Sequence, residues 1–122
     1  MFEYFYGQQS ELFKFFKIPK AFTTDDRFRI MSAEAKLLYG LLFDRMCLSA
    51  QNNWIDDNGR VYIIFTIQEI QENMNCSAKK AVSILNELEH DVGLIERKRQ
   101  GLGRPNLIYV KNFVEKAPDH FR

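Results

Sequence analysis

Little in this sequence would staple, anchor or strongly charge a protein. Two cysteines, Cys47 and Cys76, form no disulfide framework, and free thiols fit a reducing cytosol, so a cytoplasmic location is expected. No apolar run of about 18 residues is present to span a bilayer. The opening "MFEYFYGQQSE" lacks the basic-then-apolar order of a secretory signal. Lysines and arginines number 17 against 16 acids, so net charge argues neither for nor against nucleic acid, and any electrostatic signal has to be local. No internal repeat or low-complexity tract occurs. At 122 residues, 46% of them apolar and 27% charged, the chain suits one soluble domain with a single core.

The absences extend to chemistry. His90 and His120, with the two cysteines, show no metal-ligand spacing. The "DDNG" at 56–59 lacks the alternating oxygen ligands of a calcium loop and reads as a turn. The "GLG" at 101–103 lacks the third glycine of G-x-G-x-x-G, and no G-x-x-x-x-G-K-[ST] is present. Glu87, Glu89 and Asp91 lie on a helix surface with no partner acid or base implied, and nothing resembles a nucleophile with its base. The chain is therefore expected not to be an enzyme, with no catalytic residue, no metal and no cofactor.

What the sequence does have is aromatic residues near its start. Phe2, Tyr4, Phe5, Tyr6, Phe13, Phe15, Phe16, Phe22 and Phe28 make nine of the 17 in the chain. "FKFFKIPKAF" alternates loosely, as a strand or extended arm would, and Pro19 bars a helix from running through it. Residues 1–31 are expected to form an extended arm.

Regular patterning begins at Ser32. Ser32 caps a helix through about Ser49, with Glu34 in its first turn and an apolar stripe of Leu37, Leu38, Leu41 and Leu42. "RVYIIF" at 60–65 reads as a buried strand. Thr66 and Glu69 form a capping box that opens a short helix to about Met74. Asn75-Cys76 makes a tight turn, Ser77 caps a further helix to about Val92, and Gly93 ends it. Strand, glycine-rich tip and strand follow. Two helices joined by a short turn, then a hairpin, define an α+β winged helix-turn-helix. It is expected over 32–114, with 115–122 a tail or the start of a linker.

Two places could grip a ligand. On the helix from Ser77, Ala78, Ala81, Val82, Leu85 and Leu88 are expected on the core face; Lys79, Lys80, Ser83, Asn86 and Glu87 fall on the other. Lys79 and Lys80 occupy the first turn, where the helix dipole disfavours a cation by roughly 0.3–1 kcal/mol. Selection for stability alone would place acids there. Lysines beside exposed backbone amides suit a phosphate or a guanine edge instead. In the hairpin, "RKRQGLGR" carries Arg97, Lys98, Arg99 and Arg104 with no acid among them. Alternation puts Arg97 and Arg99 on one face and Lys98 on the other, while Arg104 at the tip can reach a minor groove or phosphate backbone. Alone, a basic hairpin is more often a solvated edge. Beside a helix with a basic first turn, the DNA reading is the better one, with Asn75 and Ser77 at the turn fixing phosphates.

The segments "IPKAF", "MSAEAKLLYGLLFDRMCLSAQNNWIDDNGRVYIIFT" (Met31 stands where leucine is common), "NCSAKKAVSILNELE" and "GLIERKRQGLGRPNLIYVKNF" run collinearly from about Phe13 to Phe113. Together they resemble the amino-terminal domain of the RepA_N family, replication initiators of plasmids and related mobile elements in low-GC Gram-positive bacteria. The resemblance implies a winged helix domain that binds double-stranded direct repeats at a replication origin, usually as a homodimer. It also implies a carboxy-terminal domain, beyond a linker, that engages host replication proteins, so the chain is expected to be a piece of a longer initiator. The aromatic arm then serves self-association, or else simply covers the core. A winged helix transcriptional regulator would use the same contacts without needing tandem repeats. A protein-binding winged helix would leave the basic first turn unexplained.

Overall fold

The computed structural model describes residues 1–7 and 13–114. Part of the arm and the expected tail at 115–122 lie outside them. In order, the elements are α1 (Ala21–Thr24), a 3-10 turn (Asp26–Phe28), α2 (Ala33–Gln51), α3 (Ile67–Met74), α4 (Ala78–Asn86), a π turn (Glu87–Val92), β1 (Ile95–Lys98) and β2 (Leu107–Val110). This is the α+β winged helix: α2, α3 and α4 packed together, then an antiparallel hairpin.

Each of α2, α3 and α4 begins where a side chain can satisfy its orphan amides. Ser32 Oγ accepts from Ala35 N–H at 3.0 Å, and Ser77 Oγ accepts from Lys80 N–H at 3.1 Å. At α3 both halves of the capping box form: Glu69 N–H donates to Thr66 Oγ1 at 3.1 Å, and Thr66 N–H to Glu69 Oε1 at 3.0 Å. Asn75, at φ 52°, ends α3 in the left-handed region that asparagine tolerates, which turns the chain sharply into α4.

Ala35, Leu38, Tyr39, Leu41 and Leu42 of α2 meet Ile70 of α3, Ala81, Ile84, Leu85 and Leu88 of α4 and its π turn, and Ile95 and Ile108 of the hairpin. Three expected core positions are exposed instead. Leu37 lies on the solvent side of α2, and Val82 on that of α4, where Ile84 is buried in its place. The stripe Ala81-Ile84-Leu85-Leu88 keeps 3.6-residue spacing more closely than one through Val82, which lies about 100° from Ala81 around the helix. Ala78, in the first turn, is exposed as well.

The arm region splits in two. Phe2, Tyr4, Phe5, Tyr6, Phe13, Phe15 and Phe16 are exposed, and no strand forms among the described arm residues. Phe22, Phe28 and Met31 are buried. Phe22 lies 4.9 Å from Phe28, 5.0 Å from Tyr39 and 6.0 Å from Phe113, centroid to centroid, tying α1 to α2 and to the exit of β2. Pro19 stands just ahead of this short helix, in keeping with its lack of an N–H. Helix-internal Gly40 has a packing reason: a Cβ there would stand 3.0 Å from Lys17 O and 3.2 Å from Ile18 Cγ1, so glycine lets the arm lie on α2.

The stretch 60–65 forms no continuous strand. Ile63 exchanges both backbone hydrogen bonds with Ile108 at 2.9 Å, but Tyr62 N–H turns to Trp54 O at 3.1 Å and Arg60 O accepts from Asp56 N–H at 2.9 Å. Its ladder is divided between two partners, which leaves isolated bridges, although Ile63 and Phe65 are buried as a strand would bury them. Trp54 stacks on Tyr62 at 6.2 Å and keeps 43% of its surface exposed.

The helix expected to reach Val92 is α-helical only to Asn86, and its last six residues form the π turn. Gly93 N–H and Leu94 N–H both bond Leu88 O, at 3.0 and 2.8 Å, and Gly93 at φ 81° closes the turn.

Candidate nucleic-acid interface

The helix-turn-helix is α3, the turn Asn75-Cys76-Ser77, and α4. An ion pair locks α3 against α2: Arg45 Nη2 reaches Glu69 Oε2 at 2.9 Å, its Nη1 donates to Ile64 O at 3.3 Å, and its guanidinium covers the Phe65 ring at 4.8 Å. Burial pushes the Glu69 carboxyl up, but the Thr66 amide and Arg45 outweigh it and hold it below the usual range. One glutamate therefore caps α3 and fastens it to α2.

A second carboxylate fastens the far end of α4. Glu87 accepts from Ser32 N–H at 2.6 Å and from Ser32 Oγ at 2.7 Å, while the same Oγ caps α2. A third fastens the wing. Arg97 Nε bonds Glu89 Oε1 at 2.5 Å, Arg97 Nη2 bonds Asn86 Oδ1 at 2.6 Å, and Arg97 N–H reaches Glu89 Oε2 at 3.3 Å. Burial raises the Glu89 carboxyl, and the Arg97 contacts more than reverse it. Arg97 shares with buried Ile95 the strand face that meets the helices, so its charge is spent inside the protein.

The proposed contact residues fall into two groups. At α4, Asn75, Ser77, Lys79, Lys80 and Ser83 are all exposed. Lys80 is not isolated: its Nζ stands 3.2 Å from Glu34 Oε2 in the first turn of α2. The Glu34 backbone amide and then Lys80 hold that carboxyl below its usual range. Ser77 Oγ is occupied as an acceptor by Lys80 N–H, which leaves its proton available to donate. Lys79, Ser83, Asn86 and Val82 line a shallow hollow whose far end carries Glu87, His90 and Asp91. Cations at the helix start and acids at its end make that face polar in the electrostatic sense.

On the wing, β1 pairs with β2 in the register Ile95–Val110, Glu96–Tyr109, Arg97–Ile108 and Lys98–Leu107. Lys98 points away from the helices, and Arg99 and Arg104 lie in the exposed connection. Gln100 Nε2 donates to Pro105 O at 2.8 Å and braces the base of the tip. Among the described residues, no acid lies within ion-pair reach of Lys79, Lys98, Arg99 or Arg104. Residues 97–114 contain five cations, Arg97, Lys98, Arg99, Arg104 and Lys111, and no acid.

Sequence reasoning missed Val82, 40% exposed between Lys79 and Asn86, and Glu34 as the partner of Lys80. Closer counting of the α4 stripe would have found the first. Nothing local in the sequence signals the second. Among the described residues there is no group of His, Cys, Asp and Glu able to hold a metal, and no helix is long and apolar enough to cross a membrane.

Helix-turn-helix and basic wing on one core make this a winged helix domain. The family described as "Replication initiator protein A (RepA) N-terminus" matches residues 14–122, and the chain belongs to it. A 41 kDa protein of Lactobacillus helveticus is 33% identical over 102 residues, 84% of this chain and 28% of that protein, so the chain spans little more than a quarter of this relative. A solved "N-Terminal domain of DNA binding protein" superposes with a TM-score of 0.75 at 33% identity, covering 95% of this chain and 88% of its own. A "Rep-DNA complex" gives 0.75 at 33% identity, covering 94% and 88%. An "MDR initiator" gives 0.72 at 34% identity, covering 93% and 89%.

Proposed function

We propose that this chain is the DNA-binding domain of a replication initiator and recognises repeated double-stranded sites at the origin of a plasmid or related mobile element. The observation that carries the reading is the pairing of a helix-turn-helix, whose α4 opens on Lys79, unpaired among the described residues, with a wing that is acid-free from residue 97 onward and bears Lys98, Arg99 and Arg104. Family membership and the likeness to a Rep-DNA complex support it.

In this reading α4 enters a major groove, with Lys79, Lys80 and Ser83 at base edges. Asn75 and the Ser77 hydroxyl fix phosphates, and Lys98, Arg99 and Arg104 hold the backbone or minor groove. Arg97 contributes by holding β1 against the π turn rather than by touching DNA. The domain is a binding module and not an enzyme, acting in the bacterial cytoplasm. Host replication proteins are engaged through a carboxy-terminal domain.

Recognition of repeats calls for two copies, and the exposed aromatic arm offers more apolar surface than a folded monomer leaves uncovered without reason. Sedimentation of the chain with and without residues 1–16 tests this. A dimer that dissociates on truncation is expected, and a monomer at high concentration, both alone and on DNA, removes the dimer.

Footprinting across the origin region of the encoding element tests the function. Protection of two or more repeats is expected. Protection confined to a promoter would instead support a transcriptional regulator, and none anywhere would refute DNA recognition.

A further inference from the structure

The wing tip carries a side chain that the DNA reading does not use. Leu102 is 103% exposed, more than any other large apolar residue described beyond Met1. The turn that presents it is built rather than slack: Arg104 N–H bonds Gly101 O at 3.3 Å, which places Leu102 and Gly103 at its two central positions. Gly103 has φ 74°, the positive value a type II turn requires at that place. Gly101 is also in positive φ, at 118°, and a Cβ at either glycine would meet nothing within 4 Å. The leucine therefore projects alone, with no neighbouring side chain to sheathe it.

Its surroundings select the partner. The tip is flanked by Lys98, Arg99 and Arg104, and the acid-free stretch extends from 97 to 114. An apolar tip ringed by cations repels a basic partner and gains nothing from a purely apolar one. It fits a polyanion that offers stacked apolar faces behind a narrow opening, which describes the minor groove of duplex DNA. Arginine lining such a groove while an aliphatic side chain enters a base step is a combination that kinks DNA.

We propose that Leu102 is a minor-groove wedge: Arg99 and Arg104 seat the wing on the phosphates, and Leu102 enters between two base pairs, partly unstacks them and bends the duplex. This rests on the DNA-binding reading above and adds a deformation activity to it. Pyrimidine–purine steps, which unstack most readily, are the favoured place of entry.

The test uses the 122-residue chain and the origin segment that it protects, labelled at its ends for energy transfer and carrying 2-aminopurine at successive steps under the wing. The wild type should shorten the end-to-end distance, as a kink of roughly 20° or more does, and brighten 2-aminopurine several-fold at one step. Leu102→Ala should lose most of the bend and of the brightening while melting at the wild-type temperature, and Leu102→Phe should keep both. Arg104→Ala should weaken binding several-fold but still brighten the same step at saturation. If Leu102→Ala bends and unstacks like the wild type, or the wild type binds without bending, the wedge is wrong and the DNA-binding reading stands. If the wild type binds no duplex, both fall.

Discussion

Lys80 Nζ lies 3.2 Å from Glu34 Oε2, so one of the two lysines at the start of α4 is already held by α2 in the isolated domain. Glu34 offsets the unfavourable dipole interaction at that position and competes with any phosphate or base for the same ammonium group. Glu34→Gln should tighten binding to duplex DNA a few-fold at low salt, and the gain should vanish in a Lys80→Ala background. Binding titrations on the four members of this cycle measure the coupling, and a gain that persists without Lys80 would show that Glu34 acts through the general field instead.

Replacing Lys79 and Lys80 together with alanine should weaken the specific site more than random duplex, by about 1–3 kcal/mol per lost base-edge contact. The slope of log affinity against log salt should become shallower by about 0.9 for each phosphate contact removed. The melting temperature should change little, because relief of the dipole at Lys79 opposes loss of the Glu34 pair at Lys80. Equal loss on both DNAs would demote these lysines to phosphate anchors.

Arg97 and Arg104 should separate stability from binding. Arg97→Ala strands a half-buried Glu89 and releases β1 from the π turn, which should lower stability by about 1–3 kcal/mol. Arg104→Ala should leave the melting curve unchanged and weaken specific and random DNA alike, as loss of a backbone contact does. Denaturant melts and binding curves on both variants check this. Undiminished stability in Arg97→Ala, with weakened DNA binding, would return Arg97 to the interface.

Val82 offers an aliphatic group on the exposed face of α4, matched to the thymine methyl that marks A·T pairs in the major groove. Val82→Ala should weaken the specific site by about 1 kcal/mol, the scale of one or two buried methyl groups. Replacing one thymine in the site by uracil should reproduce the loss, with no further loss in the combination. Additive effects at every thymine would show that Val82 touches none of them.

Tyr39 gives a pH signature of the fold. Its hydroxyl donates to Lys111 O at 2.6 Å, and burial pushes its pKa up from 10.0 to about 12. Because the folded value lies above the unfolded one, the native state keeps the proton while the unfolded chain has lost it. The associated stability is complete below about pH 10 and declines as pH rises through 12. Tyr39→Phe should be less stable at pH 8 by about 1 kcal/mol, and the gap to wild type should narrow between pH 10 and 12 as the wild type loses what the variant never had. A constant gap in urea melts across that range would place the Tyr39 hydroxyl in contact with solvent.

Much of the fold was legible because its signals are local. Ser32, Thr66, Glu69, Ser77 and Gly93 start or stop helices through hydrogen bonds and backbone angles that involve only a few neighbours in the chain, and all five act where their spacing indicated. The cations of the wing and of α4 were legible for the same reason, since an acid-free run is a property of the sequence itself. Tertiary structure decided how those charges are used. Glu89 lies eight positions before Arg97 and draws it inward, while Glu34 reaches Lys80 from another helix. No local pattern records such pairings, because they depend on how helices and strands cross. Packing likewise decided that Phe22 and Phe28 enter the core while the aromatics before them stay outside, that Ile84 displaces Val82 from it, and that the segment at 60–65 divides its hydrogen bonds between two partners. Caps and turns follow from the chain alone; the partner each charge or ring finds follows from the space the folded helices leave.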